Sequence, residues 1–280
     1  MKNRYRLFVV SALVIIICSS LLYIPFLHNA VIFDDHGLFT SLEVFDYAQT
    51  PFDFRPRTFP YLSLGLIQVL FGSIEANRVV SLILHIFCAW MLFALLASLL
   101  TQALTFSNAG SSNEKQVATK AVCLAFIGAM WFALNPVAVY GAGYLAQRTI
   151  LFATLFSLLS LWFYRRAFAE NRTADVITAA LFYFAAVFSK EHAVMLPLAS
   201  VATTMLYGGN TRLNIKRAAL FLMLCLPSAI AVIIAKRYVV GTAYEHDAVS
   251  LTPLLLHNLP LQGSSGKLWM ASVATQAGLF

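Results

Sequence analysis

Asp34 and Asp35 stand side by side with His36 behind them, just beyond an apolar run, in the stretch NAVIFDDHGLF from Asn29 to Phe39. Two chemistries suit such a pair. One carboxylate can take the proton of an acceptor hydroxyl as a general base. Alternatively, the two can hold a divalent cation, Mg or Mn, against a phosphate, because hard cations prefer carboxylate oxygen. Further along, Arg55 and Arg57 bracket a proline in RPRT, Arg78 follows Asn77, and Arg148 ends YLAQR. An arginine fork stays charged and matches a phosphate through paired hydrogen bonds. Lys190 and Glu191 in FSKEH add one charge of each sign, and His85 lies about two turns beyond Arg78 in an apolar stretch.

Each of these residues also has a plain structural reading. Paired aspartates beyond a hydrophobic segment can simply be solvated. Arg55 and Arg57 can anchor to lipid headgroups around a rigid Pro56, and Arg78 and Arg148 can snorkel to the interface. His85 can be a core histidine whose hydrogen bonds are made, and Lys190 with Glu191 can form an interface ion pair of small energetic weight. Asn135-Pro136 reads as a helix kink or end. The functional reading therefore rests on joint placement, which the surrounding elements decide.

Those elements belong to a bilayer. The chain of 280 residues is 60% hydrophobic and 11% charged, with 23 Phe and a mean hydropathy of +0.77, a balance foreign to water-soluble domains. The net charge of +7 does not indicate nucleic acid, because the basic residues fall in short connectors between apolar runs instead of forming a soluble basic face. Cys18, Cys88, Cys123 and Cys225 lie inside those runs, without the close spacing of metal or redox motifs.

About 20 apolar residues cross the hydrocarbon core as a helix. The expected fold is all-α and polytopic, with spans over Leu7–Leu27, Val79–Leu100, Ala121–Val139, Thr149–Tyr164, Ala174–Ser189, Ala193–Tyr207 and Ala218–Ala235. The first run is too long, and its end too poor a cleavage site, for a signal peptide. Phe59–Gly72 fits an interfacial helix within a long first outer loop, and Leu268–Phe280 reads as the start of an eighth span.

With the amino terminus cytoplasmic, the inner segments carry eleven of the 19 basic residues and three of the 12 acidic ones. That asymmetry follows the positive-inside rule. It puts Asp34, Asp35, His36, Arg55, Arg57, Arg78, Arg148, Lys190 and Glu191 on the outer side, where ionisable groups at a membrane boundary mark a site. Several spans are short, so the SKEH turn is expected to dip below the interface. Ser107–Gln116 reads as a flexible inner loop, and residues 1–280 as a single transmembrane domain.

Carboxylates beside arginines at the mouth of an apolar bundle suit the phosphate of a lipid-linked substrate, and here the motifs carry a resemblance. FDD with RPRT, NRVVSLILH, NPVAVYGAGYLAQR and FSKEHAVMLP, in this order over most of residues 1–200, resemble the GT-C superfamily of membrane glycosyltransferases. The likeness is greatest to transmembrane O-mannosyltransferases that bear tetratricopeptide repeats, and to their bacterial relatives. It implies transfer of a sugar from a polyprenyl-phosphate donor to a protein or glycan acceptor, outside the cytoplasm, at a bacterial inner membrane. It implies Asp34 or Asp35 as catalytic base or metal-linked carboxylate. Arg57, Arg148, Lys190 and Glu191 then line the phosphate or acceptor side, with His36, Arg55, Arg78 and His85 as further candidate binding residues. The chain departs from that family in lacking the repeats, and SVATQAGLF reads as an unfinished span, so the domain is expected to be incomplete at its carboxyl end and its activity to depend on that. Two expectations compete: a transporter or lipid flippase for an anionic substrate, against which the absence of paired internal repeats counts, and an inactive truncated membrane protein.

Overall fold

A computed structural model describes residues 2–31, 34–40, 43–51, 55–107, 114–207 and 211–258. The expected eighth span, Leu268–Phe280, lies outside them. The described residues are helical throughout and contain no strand. The chain divides into two units, Met1–Val232 and Ile233–Phe280.

Five helices are long and apolar enough to cross a membrane: Tyr5–Phe26, Ile74–Phe106, Lys115–Leu134, Leu145–Ala169 and Thr211–Ala235. They mark the chain as an integral membrane protein. The surface agrees, since Leu21, Leu70, Trp131 and Met223 are each more than two-thirds exposed and need a hydrocarbon surround.

Helix α1 (Lys2–Tyr23) runs into a 3-10 turn at Ile24–Phe26, where Pro25 cannot donate to the helical ladder. Two short helices follow, α2 (Asp34–Thr40) and α3 (Glu43–Gln49), and then α4 (Thr58–Phe71). The 14 residues of α4 coincide with the expected interfacial helix, and Gly72 closes it in the left-handed conformation, its N–H bonded to the Gln68 carbonyl. Helix α5 (Ile74–Ser107) is longer than the expected span at both ends. Helix α6 (Glu114–Leu134) stops earlier than Val139 because Pro136 intervenes: the Asn135 side chain accepts the Val137 N–H at 2.9 Å and starts a new turn.

After the short α7 (Ala138–Ala142) and a 3-10 turn at Leu145–Gln147 comes α8 (Arg148–Ala169), then α9 (Ala174–Val187). A third 3-10 segment, Glu191–Met195, leads to α10 (Leu196–Thr203), a fourth 3-10 turn at Thr204–Leu206 and α11 (Thr211–Asn258). The expected span Ala193–Tyr207 is thus divided between 3-10 and α-helical pieces. Of the second unit, the described residues are the continuation of α11.

Packing in the first unit uses small residues. Ala121, Ala125, Ala129 and Ala133 of α6 are fully buried at four-residue spacing against Ala89 and Phe93 of α5. That spacing puts the alanines on one stripe, so the two backbones approach closely. A second core joins Tyr164 and Phe168 of α8, Val176, Ala179 and Tyr183 of α9, and Phe221 of α11. There Ser160 donates to the Ala179 carbonyl at 2.8 Å. A third, smaller core gathers Leu38 of α2, Val44 and Tyr47 of α3, Tyr61 and Leu64 of α4, and Leu145 and Ala146 before α8. This last core positions the candidate site.

Candidate functional site around the amino end of α8

Helix amino termini carry N–H groups with no partner inside the helix and a partial positive charge. The turn that opens α8 meets this need with a side chain from far away in sequence. Asp35 is buried, and its two carboxylate oxygens accept the N–H of Leu145 at 2.9 Å and of Ala146 at 2.7 Å. Burial pushes its carboxyl above the ordinary value of 3.8, and the charge of neighbouring Asp34 adds to this. The two N–H bonds and the charge of Arg78 offset part of the rise.

Asp34, by contrast, is exposed. Its backbone N–H donates to the Tyr144 hydroxyl at 3.0 Å. The Tyr144 phenol is pushed up to about 12, first by burial and then by a hydrogen bond with the Asp34 side chain. Tyr144 therefore remains a neutral donor at the carboxylate. His36 is exposed on the same short helix.

Arg148, Arg78 and His85 are buried and engaged inside the protein. Arg148 is wholly enclosed; its guanidinium donates to Ser81 Oγ at 3.0 Å, to Ser63 Oγ at 3.1 Å and to the Asn77 carbonyl. One side chain thereby joins α8 to both α4 and α5. Arg78 donates to the carbonyls of Leu27 at 2.9 Å and Ala30 at 3.0 Å, and to that of Asn29. It serves the carbonyls that follow α1 and its terminal turn, which have no helical partner there. His85 Nε2–H donates to the Ala133 carbonyl at 3.0 Å, which also receives the Tyr23 hydroxyl at 3.4 Å. That carbonyl lost its own helical donor when Val137 turned its N–H to Asn135.

The RPRT segment sends its two arginines apart. Arg55 turns to α3, pairing with Asp46 at 2.5 Å, bonding Thr50 Oγ1 at 2.6 Å and lying 4.1 Å over the Tyr47 ring. Arg57 precedes α4 with φ of 67°, a left-handed backbone that a non-glycine residue adopts at a cost of about 1 kcal/mol or more. Its guanidinium donates to the Tyr61 hydroxyl at 3.2 Å. Burial works against the Arg57 charge, but Tyr61 and then Glu191 outweigh it, and the net shift is upward. Glu191 of the 3-10 segment after α9 is thus within electrostatic reach of Arg57. Lys190, beside it, lines a cavity of about 360 Å³ with Ile150, Ala153, Thr154 and Leu158 of α8, and with His192.

The common element is the start of α8. Asp35 caps it, Arg148 bolts it to α4 and α5, and Lys190 and His192 overlie its first turns. The candidates drawn from the sequence thus divide into accessible groups (Asp34, His36) with half-buried ones (Arg57, Lys190, Glu191), and fully enclosed ties. Tyr144, Tyr61, Ser63 and Ser81 belong to the same constellation; Tyr144 and Ser81 lie inside the YLAQR and NRVVSLILH stretches but are not singled out there, and the signal for all four is their being polar residues within or beside apolar helices.

A divalent cation does not fit this donor set well. Both Asp35 oxygens already accept N–H groups, and among the described residues no group of three or more His, Cys, Asp or Glu side chains could hold an ion. No protein-family model, curated protein or solved structure matches the chain.

Proposed function

We propose that the chain is a membrane glycosyltransferase of the GT-C type, moving a sugar from a polyprenyl-phosphate donor to a hydroxyl of a protein or glycan acceptor. One observation supports the reading: Asp35 of α2 is bonded to the turn that opens α8, with Asp34 beside it, while Lys190 stands in the wall of a largely apolar cavity along the first turns of the same helix and Glu191 next to it is within electrostatic reach of Arg57. A phosphate on a hydrocarbon tail needs that combination, cationic groups above an apolar trough.

In this reading, Asp34 is the catalytic base. Its carboxylate takes the proton of the acceptor hydroxyl, whose oxygen attacks the anomeric carbon. The bond from that carbon to the phosphate oxygen breaks, and its electron pair leaves with the polyprenyl phosphate. Arg57 and Lys190 balance the charge gathering on that phosphate. Asp35 is a positioning residue, holding α2, and with it Asp34, against the turn that opens α8.

The two shorter apolar segments, Ala174–Val187 and Ala193–Tyr207, complete a seven-span bundle with its amino terminus in the cytoplasm. The charge asymmetry then turns the amino end of α8 to the exterior of a bacterial inner membrane.

The test is sugar transfer from a radiolabelled polyprenyl-phosphate sugar in membranes carrying the full chain, compared with Asp34→Asn. Label should pass to acceptor in the first and fall to background in the second. Equal transfer by Asp34→Asn removes the base from the reading. Movement of labelled lipid across proteoliposomes with no glycosylated product would make the chain a transporter instead.

A further inference from the structure

The far end of α8 carries a second feature with a different chemistry. Helix α8 has 22 residues, a length of about 33 Å, so its carboxyl end lies on the opposite membrane surface from Asp34. There, between α10 and the start of α11, is a groove of about 450 Å³. One part of its wall is apolar, with Val201, Met205, Ile215, Ala218 and Leu222; the other is polar, with Thr204, Tyr207, Thr211 and Asn214. The groove opens on a surface meant for lipid, since Met205 is 85% and Ile215 63% exposed.

Charge at this end is one-sided. The end of α8, the segment joining it to α9 and the start of α11 carry Arg165, Arg166, Arg172, Arg212, Lys216 and Arg217 against the acids Glu170 and Asp175. Both acids are taken: Arg166 pairs with Glu170 at 3.1 Å and Asp175 at 3.2 Å, and Arg172 reaches Glu170 at 3.4 Å. Arg165, Arg212 and Lys216 have no acidic partner among the described residues. Arg212 and Lys216, one turn apart, are exposed beside the groove. Arg165 lies over the Trp162 ring at 4.8 Å and acts electrostatically on Tyr207. Tyr207 lines the polar part, is 9% exposed, and its hydroxyl has no hydrogen-bond partner among the described residues.

We infer that this groove binds an anionic phospholipid, with an acyl chain along Ile215, Ala218 and Leu222 and the headgroup phosphate between Tyr207 and the Arg212–Lys216 pair. The amphiphilic lining selects this occupant. A partner helix would match the apolar wall but leave the cations beside it unanswered, whereas free phosphate would leave the apolar trough empty. The site is independent of sugar transfer, because it faces the other leaflet.

Native mass spectrometry of the full chain in detergent, with phosphatidylglycerol, phosphatidylcholine or inorganic phosphate added, decides the matter. Wild type should retain phosphatidylglycerol on the order of tenfold better than phosphatidylcholine, and Arg212→Gln/Lys216→Gln should bring the two to parity, as the charge of two basic residues requires. Ile215→Trp, which fills the trough, should lower retention of both lipids, and Asp34→Asn should change neither. Equal retention of both lipids by wild type overturns the inference, as does an unchanged phosphatidylglycerol preference in the double variant. Displacement of phosphatidylglycerol by inorganic phosphate alone reassigns the groove to a free anion. The double substitution is on exposed residues, so it reports even where Ile215→Trp fails to fold; an unchanged melting temperature in its apo state confirms this.

Discussion

Asp35 accepts the Ala146 N–H at 2.7 Å across 111 positions of sequence, so the short helix after α1 is fastened to the start of α8 by a side chain acting as an N-terminal cap. Such caps usually come from the residue just before the helix. Here the residue before the turn is Tyr144, which makes no cap of its own, and the donors are served from outside. The arrangement separates two adjacent carboxylates: Asp35 is spent on structure, and Asp34 remains at the surface.

Stability and transfer should therefore part between the two aspartates. Asp35→Ala strips the acceptors from two buried N–H groups and should cost about 2–5 kcal/mol, seen as a lower melting temperature in detergent. Asp34→Asn should melt like wild type yet lose on the order of 10²–10⁴ of sugar-transfer rate. Loss of melting temperature in Asp34→Asn would contradict the assignment.

The same burial gives stability a pH dependence of definite sign. The Asp35 carboxyl sits above its ordinary value of 3.8 in the folded chain. Below that value both states bind the proton and the contribution is fully present. As the pH rises through the folded value, the unfolded chain has already ionised while the folded one must ionise a buried group, and stability is lost. Melting temperatures of wild type should fall relative to Asp35→Asn from about pH 4 upward and then level off. A parallel pair of curves would show that Asp35 titrates normally.

Arg148→Lys should not be conservative. Three guanidinium nitrogens reach Ser63, Ser81 and Asn77 on two helices, and an ammonium on a flexible stem has no fork with which to span them. The expected loss is about 3–5 kcal/mol, with no recovery at high salt, because the contact is enclosed. Thermal melts across a salt series measure both.

Gly65→Ala tests the small core that seats Arg57. A Cβ at Gly65 would run into the Val44 carbonyl and stand 2.9 Å from Ala48 Cβ, so α3 and α4 must separate. We expect about 2 kcal/mol of destabilisation, together with protease sensitivity confined to the segment between α2 and α4. Limited proteolysis followed by mass mapping reads the location; cleavage spread over the whole chain would point to global unfolding instead.

Much of the helical organisation is legible in the sequence, and the reasons are local. The 14 residues of the α4 segment are too few to cross a bilayer, and they form a short helix of that length. Pro136 announces an end to the helix before it, although hydropathy alone carries that helix too far because the Asn135 cap does not show in it. The division of Ala193–Tyr207 into 3-10 and α pieces is not legible, since apolar composition is the same in either. For the polar residues, type is legible and role is not. Arg148 and Lys190 look alike in sequence, as cations beside apolar runs, yet one is enclosed by serines from distant helices while the other lines a cavity. That difference depends on which helices are neighbours, and no spacing rule reports it. The structural reading of His85 fits its hydrogen bond to Ala133.

The Arg78 contacts also set an order of assembly. The carbonyls of Leu27, Asn29 and Ala30 receive their donors from a residue 48 to 51 positions later. While the chain is being made, the first helix is in the bilayer before that guanidinium has been synthesised. Until then its trailing carbonyls must stay hydrated at the interface, which leaves α1 free to tilt and slide. Arrival of α5 replaces that water and fixes the depth of α1. The depth of α1 is therefore settled only when α5 has joined it, and a lesion at Arg78 should appear first as a defect of insertion.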